Sequence, residues 1–416
     1  MNQRLPSYAL FAAMLAAAGL PIYIHAPKFY VDEYGVSLAA LGAALFGLRL
    51  LDVVQDPVLG WLSRRFQDHR RVAVLLGAAL MAVSMVGLFA VTPPMSPVLW
   101  FALTLAGLFS GFSFLTISFY AQGVSKADSL GENGHVRLAT WRETGALVGI
   151  SLAAVAPVAL GAATGSPFAL FALIFVVLAV LSVTAMHREW RRGTRVSEPG
   201  FRPILADPLA RRLLLIALLN ATPVAVTSTL FLFFVESRLE APGWEGPLLL
   251  LFFLAAAASA PVWGKVAAAI GPKRALLLGM GLAIASFAGA AFLGAGDTAL
   301  FAVICIASGA ALGADMTLLP AIFATRMEEI SPEAAEGFGL WSFVSKFTLA
   351  FAAVVLLPLL ELSGFVSGAQ VNPETALTTL TLMYAVLPCG LKLIAMGLLA
   401  TTSLDELQPV QTLREV

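Results

Sequence analysis

The chain alternates between long apolar runs and short polar breaks. Each run is close to the roughly 20 residues a helix needs to cross a bilayer. About twelve runs fit, near 7–26, 38–62, 72–91, 98–122, 138–162, 167–186, 211–236, 246–270, 275–295, 299–325, 338–364 and 377–402. Turn-rich breaks separate them, such as the proline-rich 92–97 and the Gly-Pro-Lys-Arg string at 271–274. The apolar run that follows Arg4 continues through Ile22 to Ile24. That length reads as an uncleaved first helix and not as a secretory leader. The longest hydrophilic segment, 187–212, lies at mid-chain. The pattern predicts an all-α membrane protein of two six-helix bundles, 1–186 and 211–404, joined by a linker at 187–210 and followed by a tail at 405–416.

Composition agrees with this picture. Hydrophobic residues make up 59% of the chain and charged residues 12%, against about 25% charged in soluble domains. The mean hydropathy is +0.88. The net charge of zero carries little information, but the placement of charge carries more. Of the 25 Lys and Arg residues, Arg49, Arg142, Lys346 and Lys392 fall inside runs, and Lys28 and Arg238 fall in the odd-numbered loops. The others gather at the N-terminus, in the even-numbered loops or their flanks, and in the tail. By the positive-inside rule both termini, the linker and the tail are cytoplasmic in a multi-pass protein of the inner (plasma) membrane. Compact loops and an Ala/Leu-rich composition point to a bacterial host. Cys305 and Cys389 lie in apolar runs and read as packing residues. His25, His69, His135 and His187 are scattered without metal-ligand spacing. No P-loop string appears, which argues against an ATP-driven pump on this chain.

Charge within the apolar runs is the most informative feature. Arg49, Asp52 and Asp56 stand at i, i+3 and i+7 in the second run and so share one helical face. A charge at membrane depth costs about 2.5–3.5 kcal/mol on insertion scales. That face must turn to a protein interior or a water-filled cavity, as on an ion or solute pathway. Two carboxylates one turn apart repel in low dielectric, which favours uptake of a proton where no metal ion is present.

An internal repeat supports the division into halves. The string D-P-V-L-G-W at 56–61 matches A-P-V-W-G-K at 260–265, and F-A-L-T-L-A at 101–106 matches F-A-V-I-C-I at 301–306. Parallel repeats of this kind are similar to those of secondary transporters in the major facilitator superfamily. The repeat also serves as an internal control. Asp52, Asp56 and Arg49 fall opposite Ala256, Ala260 and Phe253, whereas the Pro and Gly of the string persist. The P-x-x-G element therefore reads as structural and the carboxylates as specific to one half. Arg142, in the fifth run, falls opposite Lys346 in the eleventh.

The second-run string L-R-L-L-D-V-V-Q-D-P-V-L-G-W (48–61) resembles the second-helix signature of the glycoside–pentoside–hexuronide:cation symporters, the melibiose-permease-like branch of the same superfamily. W-S-F-V-S-K-F (341–347) is similar to that family's eleventh-helix lysine segment, and R-E-T-G-A-L-V-G (142–149) to its fifth-helix arginine segment. The resemblance implies that Asp52 and Asp56 bind the coupling cation, with a metal role only if that cation is Na+. It implies that the Ser113 hydroxyl lies near the cation, that Lys346 neighbours the site, and that Arg142 lines the solute cavity. Two positions depart from the pattern. The first-helix acidic sugar ligand falls at an alanine near Ala16, and the fourth-helix acid falls at Thr116, with Tyr120 as the nearby aromatic. A galactoside site needs carboxylates to accept hydroxyl hydrogen bonds. Members of the family in animals carry lysolipids, and Arg142 and Lys346 would suit an anionic group on such a substrate.

Each candidate also has a plain structural reading. Asp52 and Asp56 would pair with Arg49 and Lys346, but buried salt bridges are a poor source of stability. Arg49 reads as the partner of Asp52, with a solute contact as the other option. Arg142 lines the cavity or snorkels to the surface, and Glu143 faces elsewhere on its helix. Asp315, in the tenth run, serves solute or braces a neighbouring helix. Lys392 shows no evident partner and snorkels. Tyr120, Trp141 and Trp341 stack on a solute or pack. Glycines at 42, 47 and 149 suit close helix contact.

These residues together predict a secondary active transporter, coupled to H+ or Na+, that carries a small solute such as a sugar or glycoside by alternating access. The alternative is a lysolipid or another amphipathic or anionic substrate on the same fold. No covalent chemistry, no cofactor beyond the coupling ion and no nucleic-acid partner is implied. The expected partners are the solute and the lipid bilayer, and the expected state is a monomer.

Overall fold

The computed structural model describes residues 4–36, 38–131, 133–161, 164–190, 201–330, 335–366 and 372–403. Among them there is helix and loop but no strand. In chain order the helices are α1 (Leu5–Ala17), α2 (Leu20–Tyr34), α3 (Leu38–Arg65), α4 (Arg70–Phe89), α5 (Pro97–Asp128), α6 (Gly134–Gly161), α7 (Pro167–Met186), α8 (Arg202–Ala206), α9 (Pro208–Phe233), α10 (Glu245–Ile270), α11 (Pro272–Ala288), α12 (Thr298–Ile330), α13 (Ala335–Leu362), α14 (Glu374–Thr381) and α15 (Leu387–Ala400). Among the described residues 9 helices are long and apolar enough to cross a membrane. The broken pair α1–α2 and the 28-residue α3 and α13 supply the other predicted spans. At 1.5 Å per residue, 28 residues reach about 42 Å, more than a hydrocarbon core.

Two runs predicted as single helices are interrupted, each beside a proline. The first breaks between Ala17 and Leu20, where Pro21 has no N–H to offer the carbonyl of Ala17. The last widens into a π turn at Leu382–Val386, just before Pro388, which cannot donate to Tyr384. A second π turn, Phe234–Arg238, continues α9. Phe234 and Tyr384 stack across the two turns with ring centroids 4.2 Å apart.

The same pairings build both halves. α1 packs on α6 as α9 packs on α13; α3 on α5 as α10 on α12; α4 on α5 as α11 on α12; and α4 on α7 as α11 on α15. The halves meet where α3 crosses α13 and where α6 crosses α10. The α1–α6 crossing brings backbone onto backbone: a Cβ on Gly149 would lie 2.4 Å from the Ala13 carbonyl oxygen, so no side chain fits there. The glycine expected at the α3 contact behaves otherwise, because a Cβ on Gly47 would meet open space. The surroundings of Gly42 lie outside the described residues.

The basic end of the bundle is tied by cations that reach back to carbonyls and acids. Arg71 donates to the Trp190 carbonyl at 3.1 Å, and Lys126 pairs with Glu189 at 2.8 Å, so the start of the linker docks on the first half. Linker residues 191–200 and the tail 405–416 lie outside the described residues. In the second half, Asp207 caps α9 by accepting from the Ala210 N–H at 2.6 Å, and it also accepts from Arg326 of α12. Burial pushes the Asp207 carboxyl up, but the Arg326 and Ala210 hydrogen bonds outweigh it and hold the group below the usual aspartate value. A depressed native value means that this stabilisation is complete above the ordinary aspartate range and is lost as pH falls through the native value. Replacing Asp207 with Ala removes the cap, at a cost of about 1 kcal/mol. Thermal melts between pH 7 and pH 3 should show a lower melting temperature for Asp207→Ala at neutral pH, with the gap to the native chain closing as the pH falls.

Candidate cation site and solute cavity

The face of α3 that carries Asp52 and Asp56 turns inward. Both carboxylates are buried, whereas Val54, Val58 and Trp61 on the other face are 71%, 56% and 52% exposed. Opposite them stands α13, with Ser342 and Lys346 one turn apart. The Lys346 ammonium donates to Asp56 Oδ1 at 3.1 Å and to Ser113 Oγ of α5 at 2.6 Å, and lies 3.7 Å from Asp52 Oδ1. Ser342 Oγ donates to Asp56 Oδ2 at 2.5 Å. Gln55 Nε2 donates to Asp52 Oδ1 at 2.8 Å, and Ser110 Oγ donates to Gln55 Oε1 at 2.9 Å. Predicted residues Asp52, Asp56, Ser113 and Lys346 thus meet in one cluster on three helices. The prediction missed Gln55, Ser110 and Ser342. Their signal was helical spacing: Ser110 lies one turn before Ser113, and Ser342 one turn before Lys346. The side chain of Arg49 lies outside the described residues.

One turn beyond Asp56, the two halves touch at backbone distance. A Cβ on Gly60 would lie 3.2 Å from the Gly339 Cα and 3.0 Å from the Ala335 carbonyl oxygen. Its repeat mate Gly264 meets the other half as well, with Thr140 Oγ1 at 2.3 Å from an added Cβ. The P-x-x-G string therefore marks the two points at which each half presses on the other. Ion pairs cross the same end: Arg64 with Glu336 at 3.4 Å, and His135 with Glu328 at 2.7 Å.

A second polar cluster lies on α5 and α6. Arg142 Nε donates to Glu143 Oε1 at 2.7 Å, and Tyr120 Oη donates to the same oxygen at 2.9 Å. The Arg142 guanidinium sits 3.6 Å from the Tyr120 ring centroid, within cation–π range. Arg142 and Glu143 are both buried, so Arg142 does not snorkel to the surface. Glu143 was expected to face elsewhere. Adjacent residues do diverge by about 100° around a helix, but the two long side chains converge on Tyr120. Thr116, one turn before Tyr120, has a buried hydroxyl with no hydrogen-bond partner among the described residues. Trp341 packs on Phe323 with centroids 4.9 Å apart, and Trp141 is 44% exposed.

Asp315 and Lys392 form a third pair. Lys392 Nζ donates to Asp315 Oδ2, and both residues are buried. The expectation that Lys392 has no partner is thereby corrected. No sequence motif links residues 77 apart on α12 and α15, but low dielectric makes an unpaired ammonium costly there. The pair lies on the wall of a cavity of about 990 Å³. The cavity runs from the first turn of α10, at Glu245 and Gly246, to Asp315 and Lys392. Its wall is mostly second-half apolar surface, including Phe231, Phe252, Phe253 and Phe287, with His25, Ile150, Ser151, Ala154 and Val155 from the first half. Of the predicted solute ligands among the described residues, Asp315 is the one on this wall.

Twofold helix packing, an inward acid–lysine cluster and a cavity between the halves define a membrane transporter. Residues 6–406 match the model of the MFS/sugar transport protein family, and the chain belongs to that family within the major facilitator superfamily. Among curated proteins none matches the chain in sequence. The fold is similar to that of several solved transporters. A bacterial homologue of the iron transporter ferroportin, in an outward-facing state, superposes with a TM-score of 0.69 at 15% identity over 94% of this chain and 99% of that one. The E. coli fucose:proton symporter FucP gives 0.65 at 15% identity, covering 96% and 98%. The human organic anion transporter MFSD10 (TETRAN) gives 0.64 at 16% identity, covering 96% and 100%. At these identities the likeness is one of fold.

Removing one member of a buried ion pair strands the other, at about 3–5 kcal/mol, whereas removing both is far milder. Lys346→Gln should therefore lower the melting temperature sharply, and Asp56→Asn combined with Lys346→Gln should restore part of the loss. A double-mutant cycle of melting temperatures measures the coupling, and additive losses would show that the two groups do not interact.

Proposed function

We propose that the protein is a cation-coupled secondary active transporter, a symporter that moves its solute by alternating access. The observation that carries this reading is the bond from Lys346 of the second half to Asp56 of the first. That bond holds the halves together beside the Gly60–Gly339 contact. A proton or Na+ taken up by the aspartates competes with the lysine for the same oxygens. Cation binding therefore loosens one contact between the halves, and the movement follows only when the solute is bound as well. Asp52, Asp56, Ser113 and Ser342 offer carboxylate and hydroxyl oxygens, a donor set that suits either H+ or Na+. With the basic end cytoplasmic, the closed contacts lie on the inner side and the cavity lies toward the outside. Coupling then requires solute and cation together for the transition, and either one alone disfavours it.

A small solute such as a sugar or glycoside fits this cycle. A second reading, an amphipathic substrate such as a lysolipid, is favoured by the apolar wall of the cavity. Closed sugar pockets instead present several acceptors and aromatics around one site. In both readings the protein works as a monomer in the bacterial inner membrane, with no cofactor beyond its coupling ion.

The test follows thermal stability against Na+ at several pH values, in the native chain and in Asp52→Asn, Asp56→Asn. A native-state ligand at 100 times its Kd stabilises by about 2.7 kcal/mol. Na+-dependent stabilisation that the double variant lacks establishes sodium coupling. A pH-dependent transition that the variant lacks, with no Na+ effect, establishes proton coupling. If neither ion distinguishes the two proteins, the aspartates are structural and the coupling mechanism is wrong.

A further inference from the structure

The cavity contains a polar point that the cation cycle does not use. Asp315 and Lys392 are 7% and 4% exposed on its wall. Asp315 Oδ2 accepts from Lys392, but Asp315 Oδ1 is buried with no hydrogen-bond partner among the described residues. A buried acceptor left without a donor costs about 1–3 kcal/mol, more when it is charged. Lys392 carries three N–H donors, and its described hydrogen bond uses one. One atom of the pair thus calls for a donor and its neighbour has donors to give. The other ionisable side chains on the wall are His25, Glu245, Cys305, Tyr384 and Cys389. His25 is engaged with the Ala154 carbonyl at 2.8 Å, and Glu245 binds the Gly243 N–H at the cavity's far end.

Charge balance decides what fits. The described cations at membrane depth each have an acid: Arg142 has Glu143, Lys346 has Asp56, and Lys392 has Asp315. An anion brought to Lys392 would leave the pair with a net negative charge in an apolar chamber, and a cation would do the reverse. Either costs desolvation that nothing on this wall offsets. A guest of zero net charge adds no such cost and still satisfies both orphan groups.

We propose that Asp315 and Lys392 form the head-group site for an amphipath whose head is net neutral and presents an N–H or O–H donor beside an oxygen acceptor. The donor goes to Asp315 Oδ1 and the acceptor to Lys392 Nζ. The apolar part lies along Phe231, Phe252 and Phe287. A glycoside and a zwitterionic amine share this chemistry, and a purely anionic head does not. The proposal rests on the transporter reading and narrows its substrate. It departs from the expectation that membrane-depth cations await an anion, because those cations are already paired.

The test uses the full chain in nanodiscs of net-neutral lipid, with four probes that share an octyl tail, each below its critical micelle concentration. They are octyl β-glucoside, zwitterionic N-octylglycine, octyl sulfate and octyltrimethylammonium, and the readout is the saturable shift in melting temperature. At least one neutral-head probe should half-saturate at a concentration about tenfold or more below both ionic probes. Which neutral probe acts tells sugar from zwitterion. Asp315→Asn combined with Lys392→Gln removes both charges together and so avoids stranding either one. That variant should lose the neutral-head response. Octyl sulfate acting as tightly as the neutral heads, no response to any probe, or a neutral-head response retained in the variant would each overturn the proposal. The Na+ and pH response is read in the same samples. If it is absent from the native chain, cation coupling fails whatever the probes do. If it survives in the variant while the probes do not bind the native chain, the head-group site alone fails.

Discussion

An ionised side chain in an apolar bundle must find an opposite charge or a polar lining, and much of this structure follows from that constraint. Among the described residues three acid–base pairs sit at membrane depth, each in its own surroundings. Arg142–Glu143 lies within one half and is capped by an aromatic ring. Lys392–Asp315 joins two helices of the other half. Lys346–Asp56 alone among the three crosses between the halves. A pair within a half braces it in every state of the transporter. On the proposed cycle a pair between halves is made and broken as they rock, and so it is the one whose energy a bound ion would alter.

Beside that pair, where α3 crosses α13, glycines face each other across the halves. Gly60 and Gly339 let α3 and α13 approach until backbone limits them, and Gly264 does the same for α10 against Thr140. Close approach shortens the distance over which the Lys346 ammonium acts on the carboxylates. Side chains also meet across the halves nearby, where the Tyr120 and Phe338 rings lie 5.1 Å apart in an apolar cluster drawn from both.

The sequence was most legible where chemistry is costly. Asp52 and Asp56 stood out because carboxylates are expensive in an apolar run, and helical period alone placed them on one face. The repeat exposed Gly60 and Gly264 as structural, because the P-x-x-G string persisted in the half that had lost the acids. Long-range pairing was illegible. Nothing local says that Lys392 meets Asp315, or that Glu143 bends back to Tyr120 beside Arg142. Such contacts depend on how helices rotate against one another, which no single helix encodes. The helix interruptions were half legible. Pro21 and Pro388 were visible, yet prolines also sit inside unbroken α3, α6 and α10, so a proline marks a possible break without fixing one.

The cavity wall and the cation cluster draw on different helices. The cluster belongs to α3, α5 and α13, whereas the wall belongs mainly to α9, α10, α11, α12 and α15. A substitution that reshapes the chamber therefore leaves the acid–lysine geometry in place. On the proposed cycle, a lineage built on this plan would trade one cargo for another by repainting a wall, and inherit the engine unchanged.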